Sequence, residues 1–177
     1  METKKWFVDH IQPDWVMIDC GANIGYFSIL FAKYAELVYA FEPTSTHDML
    51  LKNIHYNNIR NVITLKCAVG NKTGDYTDKI FRVWNNGPEE NEYPFTTIDN
   101  FDIPKIDCIK IDVDSYDFEA LQGARETLLK HNPYVMVELN HALEKRGQTK
   151  EQAIEWMREL GYPGPTVFDK ENYLFRR

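Results

Sequence analysis

One stretch limits the architecture more than any other. Val16-Met17-Ile18-Asp19-Cys20 is a short apolar run with a single acid, and it leads through Gly21-Ala22-Asn23-Ile24-Gly25 into Tyr26-Phe27-Ser28-Ile29-Leu30-Phe31-Ala32. A buried strand, a glycine turn and an apolar helix in that order open a βαβ unit. The rest of the chain keeps the rhythm. The pattern predicts strands over 16–20, 37–42, 62–66, 107–113 and 134–139, with helices over 23–34, 45–57, 118–131 and 150–160 between and after them. Ser45 with Asp48, and Thr149 with Gln152, read as capping boxes. Met49, Leu50 and Ile54 are expected to face inward, and Gly161 stops the last helix. Segments 166–168 and 173–176 flank Asp169-Lys170-Glu171-Asn172 and read as a closing antiparallel hairpin. The expected class is α/β, a three-layer α/β/α sandwich on a mostly parallel sheet with that hairpin at its end.

Residues 74–103 interrupt the alternation. An edge strand fits 76–83, and the turn residues Asn86-Gly87-Pro88 mark 85–94 as loop. From Trp84 to Pro104 there are five acids (Glu89, Glu90, Glu92, Asp99, Asp102) and no base. Trp84, Tyr93 and Phe95 lie in or beside this stretch. Aromatics beside acids can stack on and hydrogen-bond a sugar; a loop of this kind can equally do no more than cover the core.

Composition removes several classes. With 177 residues the length prior is one domain, here 1–177, large enough for a core without disulfides or metal. Apolar runs reach only four to five residues and none follows the charged N-terminus, so neither a membrane span nor a signal peptide is expected. The 27 acids outnumber 20 bases, for a net charge of −7, which speaks against a nucleic-acid partner. Cys20, Cys67 and Cys108 lack metal-ligand spacing and sit in apolar strand-like segments. They read as reduced core residues in a reducing, cytoplasmic setting.

The glycine turn also limits the ligand. A dinucleotide turn asks for G-x-G-x-x-G. Here Asn23 stands at the middle glycine and Tyr26 at the last, and Asp19 brings a carboxylate to the strand end. A pyrophosphate suits this poorly; a cationic or zwitterionic group suits it better. Glu42 ends the second strand 21 residues after Gly21, where an acid accepts both hydroxyls of a ribose. Ribose plus a cationic group points to S-adenosylmethionine, and leaves a nicotinamide-dependent oxidoreductase disfavoured.

Several blocks together resemble the FkbM family of S-adenosylmethionine-dependent methyltransferases. Ile18–Ser28 is similar to its first motif, Tyr39-Ala40-Phe41-Glu42-Pro43 to its ribose-binding strand end, and Ala68-Val69-Gly70-Asn71 to the turn after its third strand. Thr97-Ile98-Asp99, Ile109-Lys110-Ile111-Asp112-Val113-Asp114 with Phe118-Glu119-Ala120-Leu121-Gln122-Gly123-Ala124, and Asn172-Tyr173-Leu174-Phe175-Arg176 resemble its later blocks. The resemblance implies a Rossmann-like class I methyltransferase fold. It implies that Asp19, Gly21, Ala22, Asn23 and Gly25 face the methionine half of the cofactor. Glu42 would hold the ribose, flanked by Pro43 and Thr44; Cys67 and Ala68 would lie beside adenine; Asp112 would lie near the amino group or methyl. It also implies a hydroxyl acceptor on a saccharide or glycosylated small molecule. Where the family has Glu-Gly-Phe-Glu, this chain has Asp114-Ser115-Tyr116-Asp117. About 15 residues precede the first strand, where many members have a covering extension, so the pocket is expected to be open or capped by another subunit of a homo-oligomer.

Methyl transfer to an alcohol needs alignment, exclusion of water and a base. Asp112, Asp114, Ser115, Tyr116, Glu138, Asn140 and His141 lie at the C-terminal ends of the fourth and fifth strands, where ligands sit in such sheets. Asp114 and His141 are the candidate catalytic bases. His10, His47, His55 and His131 read as helix-face or helix-end residues. No metal is assigned, although Asp112, Glu138 and Asn140 could gather a hard divalent cation. The alternative to an enzyme is a degenerate module that binds the cofactor without turnover.

Overall fold

The computed structural model describes residues 1–81 and 88–177. Its elements in order are α1 Glu2–His10, β1 Val16–Cys20, α2 Tyr26–Ala32, β2 Leu37–Phe41, α3 His47–Tyr56, β3 Val62–Leu65, β4 Ala68–Val69, β5 Gly74–Phe81, β6 Pro88–Thr96, β7 Cys108–Ile111, α4 Asp117–Gln122, α5 Arg125–His131, β8 Tyr134–Glu138, α6 Lys150–Glu159, β9 Thr166–Phe168 and β10 Asn172–Phe175. A seven-stranded sheet runs β3-β2-β1-β7-β8-β10-β9. Its strands are parallel except β10, which pairs antiparallel with β8 and β9. The α/β sandwich and its C-terminal hairpin are as the sequence implies.

Alternation along each strand builds two cores. On one face Ile18, Cys20, Ile109, Ile111, Val135 and Val137 pack under Leu121, Leu128 and Met157 of α4, α5 and α6. On the other Met17, Val38, Cys108 and Met136 pack under Phe7 of α1 and Phe31 of α2, while Leu50 of α3 covers Ala40. β1 is buried along its whole length, as a central parallel strand covered on both faces must be. The order reverses at β1, with β2 on one side and β7 on the other, and open α/β sheets bind ligands at such a switch point. Among the described residues no helix is long and apolar enough to cross a membrane.

Several local expectations are corrected. Helix α1 was not expected from the sequence, and α2, expected from 23, begins at Tyr26 because Asn23 and Gly25 have φ of 51° and 94°, outside the right-handed helical region. The cap position of α3 is held by Thr46 rather than Ser45, with no side-chain cap bond from Thr46, and Thr46 N donates to Thr44 Oγ1 at 3.2 Å. Met49 is 47% exposed, while Leu50 is buried. The helix expected over 118–131 is two, broken at Gly123-Ala124. Cys20 and Cys108 are core residues, but Cys67 follows β3 and is only half-buried. The capping box of Thr149 and Gln152 is present.

The interruption forms a second sheet, β4-β6-β5. β5 matches the expected edge strand as far as Phe81. The expected loop is instead β6 from Pro88 onward, antiparallel to β5. Tyr93 and Phe95 are buried while Glu92 and Pro94 face solvent, a strand alternation masked by the acids and proline. Pro94 is tolerated because β4 pairs only with Phe95 and Thr96. Trp84 and the expected turn at 86–87 lie outside the described residues.

Candidate functional site

At the C-terminal ends of β1, β2 and β7 the chain encloses a cavity of about 670 Å³. Of the sequence-predicted residues, Asp19, Gly21, Ala22, Asn23, Glu42, Pro43, Cys67, Ala68, Asp112 and Asp114 all line it. The turn after β1 is tied to β2, with Gly21 N and Ala22 N both donating to Phe41 O, at 3.0 and 2.9 Å. Gly21 has φ of 79°, and a Cβ there would lie 1.8 Å from the Asp112 carbonyl oxygen. Any side chain would therefore push the end of β7 off the turn. Gly25 supports the turn from behind, against Leu50, and does not line the cavity.

Glu42 joins β2 to the turn. Its Oε2 accepts from Asn23 N at 2.9 Å; its Oε1 accepts from Thr44 N at 3.0 Å and Thr44 Oγ1 at 2.6 Å. A carboxylate has about four acceptor positions, so these three bonds orient it and leave capacity for a ligand hydroxyl.

The cavity floor is charged. Asp19 is fully buried; Ser28 Oγ donates to its Oδ2 at 2.6 Å, and its Oδ1 has no hydrogen-bond partner among the described residues. Lys110, also buried, places Nζ 3.6 Å from that Oδ1, 3.2 Å from Asp112 Oδ2 and 4.9 Å from the centroid of Phe27. Burial raises the Asp19 carboxyl above its ordinary value, opposed by Lys110 and Ser28. Burial alone would lower Lys110, but the carboxylates of Asp112 and Asp19 outweigh it and hold the ammonium charged. Lys110 was not anticipated as a site residue. Its signal is a lysine between Ile109 and Ile111, two residues before Asp112 and so on the same face of the strand.

Asp114 stands at the lip with φ of 58°, its carboxyl pushed up to about 6 by desolvation and by the Asp112 charge. Tyr116 also lines the cavity; its hydroxyl donates to Asp78, the Arg146 guanidinium lies 3.7 Å from its ring centroid, and Phe95 packs beside it. Asp117 points away, accepting from Val113 N at 2.9 Å. His141 is exposed at the start of a 3-10 turn and is absent from the cavity lining. Asn140 caps that turn through Oδ1 and donates Nδ2 to Glu138 Oε2 at 2.7 Å. Desolvation, with the charge of Asp112, pushes Glu138 up to about 7. Among the described residues no three His, Cys, Asp or Glu side chains are grouped to hold a metal. Tyr93 and Phe95 are buried in the second sheet, so neither offers a face to a sugar.

Known proteins are similar to this chain in sequence and in fold. The model of the family described as "Methyltransferase FkbM domain" matches residues 19–163. Hexuronic acid methyltransferase AglP of Haloferax volcanii is 27% identical over 154 residues, 81% of this chain and 63% of its own length. The crystal structure of Methyltransferase FkbM from Methylobacillus flagellatus KT superposes with a TM-score of 0.70 at 17% identity, over 95% of this chain and 44% of that one. Streptococcus mutans SMU.1697c, solved in complex with SAH, gives 0.65 at 12% identity, over 98% and 93%. The chain thus spans less than two thirds of the length of the first two.

Proposed function

The chain belongs to the FkbM methyltransferase family, and from that premise we propose that residues 1–177 form one domain that binds S-adenosylmethionine and methylates a hydroxyl of a saccharide or glycosylated small molecule. The residues present suit that cofactor. Phe41, Cys67, Ala68 and Val69 offer an apolar wall to adenine, with Pro43 beside the ribose. Glu42 has acceptor capacity left for a ribose hydroxyl, the glycine turn admits a close-lying chain, and the half-buried Asp112 offers a carboxylate to the ammonium. Bound there, the cofactor supplies a methyl group on a positively charged sulfur, an electrophile already activated.

The chain supplies alignment, exclusion of water and removal of the acceptor's proton. Asp114 suits the proton-accepting role because it stands at the lip, and a carboxyl pushed up to about 6 is a far better proton acceptor near neutrality than an ordinary aspartate. His141 would act only on an acceptor extending past the rim. The saccharide acceptor is supported by the hexuronic acid methyltransferase relative. The observation that carries the reading is the convergence of the glycine turn, Glu42 and Asp112 on a cavity sized for one small ligand.

The test is calorimetric titration with S-adenosylmethionine, followed by methyl-label transfer to a panel of neutral and acidic saccharides. Wild type is expected to bind, Glu42→Ala to bind at least about tenfold more weakly, and a hydroxylated saccharide to take up label. Absence of binding refutes the cofactor assignment. Tight binding with no labelled saccharide refutes the transferase and leaves a module that binds without turnover.

A further inference from the structure

Beyond the ammonium role given to Asp112 above, and resting on the reading of the cavity as an S-adenosylmethionine site, we propose that Lys110 completes a pair with Asp112 that recognises the α-amino-acid end of the ligand, Lys110 taking its carboxylate while Asp112 takes its ammonium. An α-amino acid carries both charges on one carbon. Its complement is a cation and an anion held side by side, and Lys110 Nζ lies 3.2 Å from Asp112 Oδ2. Strand geometry produces the juxtaposition, since residues 110 and 112 project to the same face.

Two further observations separate Lys110 from a structural ion-pair partner of Asp112. It lines the cavity although its side chain is only 3% exposed, so the little surface it has faces the ligand space. It also has a dedicated counter-ion in Asp19, its register partner on β1, which no solvent reaches. Burying an ion pair in this layer costs more than packing apolar side chains, and the neighbours in the same layer, Cys108 and Met136, are apolar. Asp19 and Ser28 are therefore positioning residues. They keep a charged ammonium on the cavity floor, where burial alone would favour its neutral form. An ammonium has three N–H donors; Asp112 takes one and Asp19 lies 3.6 Å away, which leaves a donor for a ligand carboxylate.

The test compares S-adenosylhomocysteine with its decarboxylated analogue, which keeps the amine and lacks the carboxylate, by calorimetric titration. Wild type is expected to prefer the carboxylated ligand by about 10- to 100-fold, the range of one charge-assisted hydrogen bond. Lys110→Met is expected to lose that preference while binding the decarboxylated ligand within about threefold of wild type. Because Lys110→Met strands Asp19 as a buried unpaired charge, Asp19→Asn/Lys110→Met is measured in parallel, with thermal unfolding as the check of folding. Equal weakening of both ligands, or a preference that survives in a folded variant, refutes the pair and leaves Lys110 structural. A wild type that binds both ligands equally refutes it without any variant. A wild type that binds neither refutes the cofactor assignment itself.

Discussion

Gly123→Ala tests whether local preference or a tertiary contact breaks the helix between α4 and α5. A helix running unbroken through this position would gain about 1 kcal/mol from the substitution, since alanine loses less backbone freedom than glycine. The structure gives the opposite sign. Gly123 has an ordinary helical φ of −75° and is buried, and an added Cβ would lie 1.9 Å from Gly70 O and 3.2 Å from Thr97 Cβ. An ordinary non-bonded contact is about 3.5 Å, so backbone has to move. It is poorly free to do so: Gly123 O accepts from Asp99 N at 3.0 Å, and Gly70 N donates to Thr96 O at 3.0 Å. Overpacking of this kind costs up to about 3 kcal/mol, which the helical gain offsets only in part. The net expectation is about 2 kcal/mol of destabilisation, roughly 4–8 °C in Tm for a chain of this length. Thermal and urea unfolding of wild type and Gly123→Ala measure it. Because Gly70 follows Ala68 and Val69 on the cavity wall, weaker binding of S-adenosylhomocysteine is expected with it. A variant as stable as wild type, or more so, would refute the contact as the cause of the break.

The same junction supports a second test. Asp99 accepts from Glu126 N at 3.0 Å and Thr127 N at 2.8 Å, capping α5 from another segment, so Asp99→Ala is expected to cost about 1 kcal/mol in urea unfolding while Asp99→Asn recovers part of it. For catalysis the sign follows from Asp114: a base works deprotonated, so methyl transfer should be level above about pH 6 and fall about tenfold per unit below it. Asp112→Asn removes a like charge that raises this group, so the inflection should move to lower pH; a profile that stays put or moves up counts against Asp114 as the base.

Much of the frame was readable because burial imposes strong local patterns. β1 and β9 fall at the expected residues, and β2, β3, β7, β8 and β10 differ only at their ends. The glycine turn was readable for the same kind of reason: Gly21 is demanded by a positive φ and by the carbonyl of Asp112 pressing on it. β6 was hidden because its alternation covers few residues and carries a proline that a short neighbouring strand tolerates. The break at Gly123 was hidden because its cause, Gly70, lies in a turn far earlier in the chain. His141 looked comparable with Asp114 by strand-end position alone; only the backbone path separates an exposed turn residue from one at the cavity lip.

By itself the sequence determined the order of the strands of the main sheet, the glycine turn at the cavity and the acids Glu42 and Asp112 beside it. These are written in periodicity and in residue types that have few other uses. Only the tertiary structure decided what each charge does. It commits Asp19 to Ser28 and Lys110, ties Glu42 to Asn23 and Thr44, and turns an inconspicuous lysine between two isoleucines into the cation on the cavity floor. The physical reason is that burial and pairing are properties of neighbours in space, and strands β1, β2 and β7 become neighbours only when the sheet closes around their shared edges.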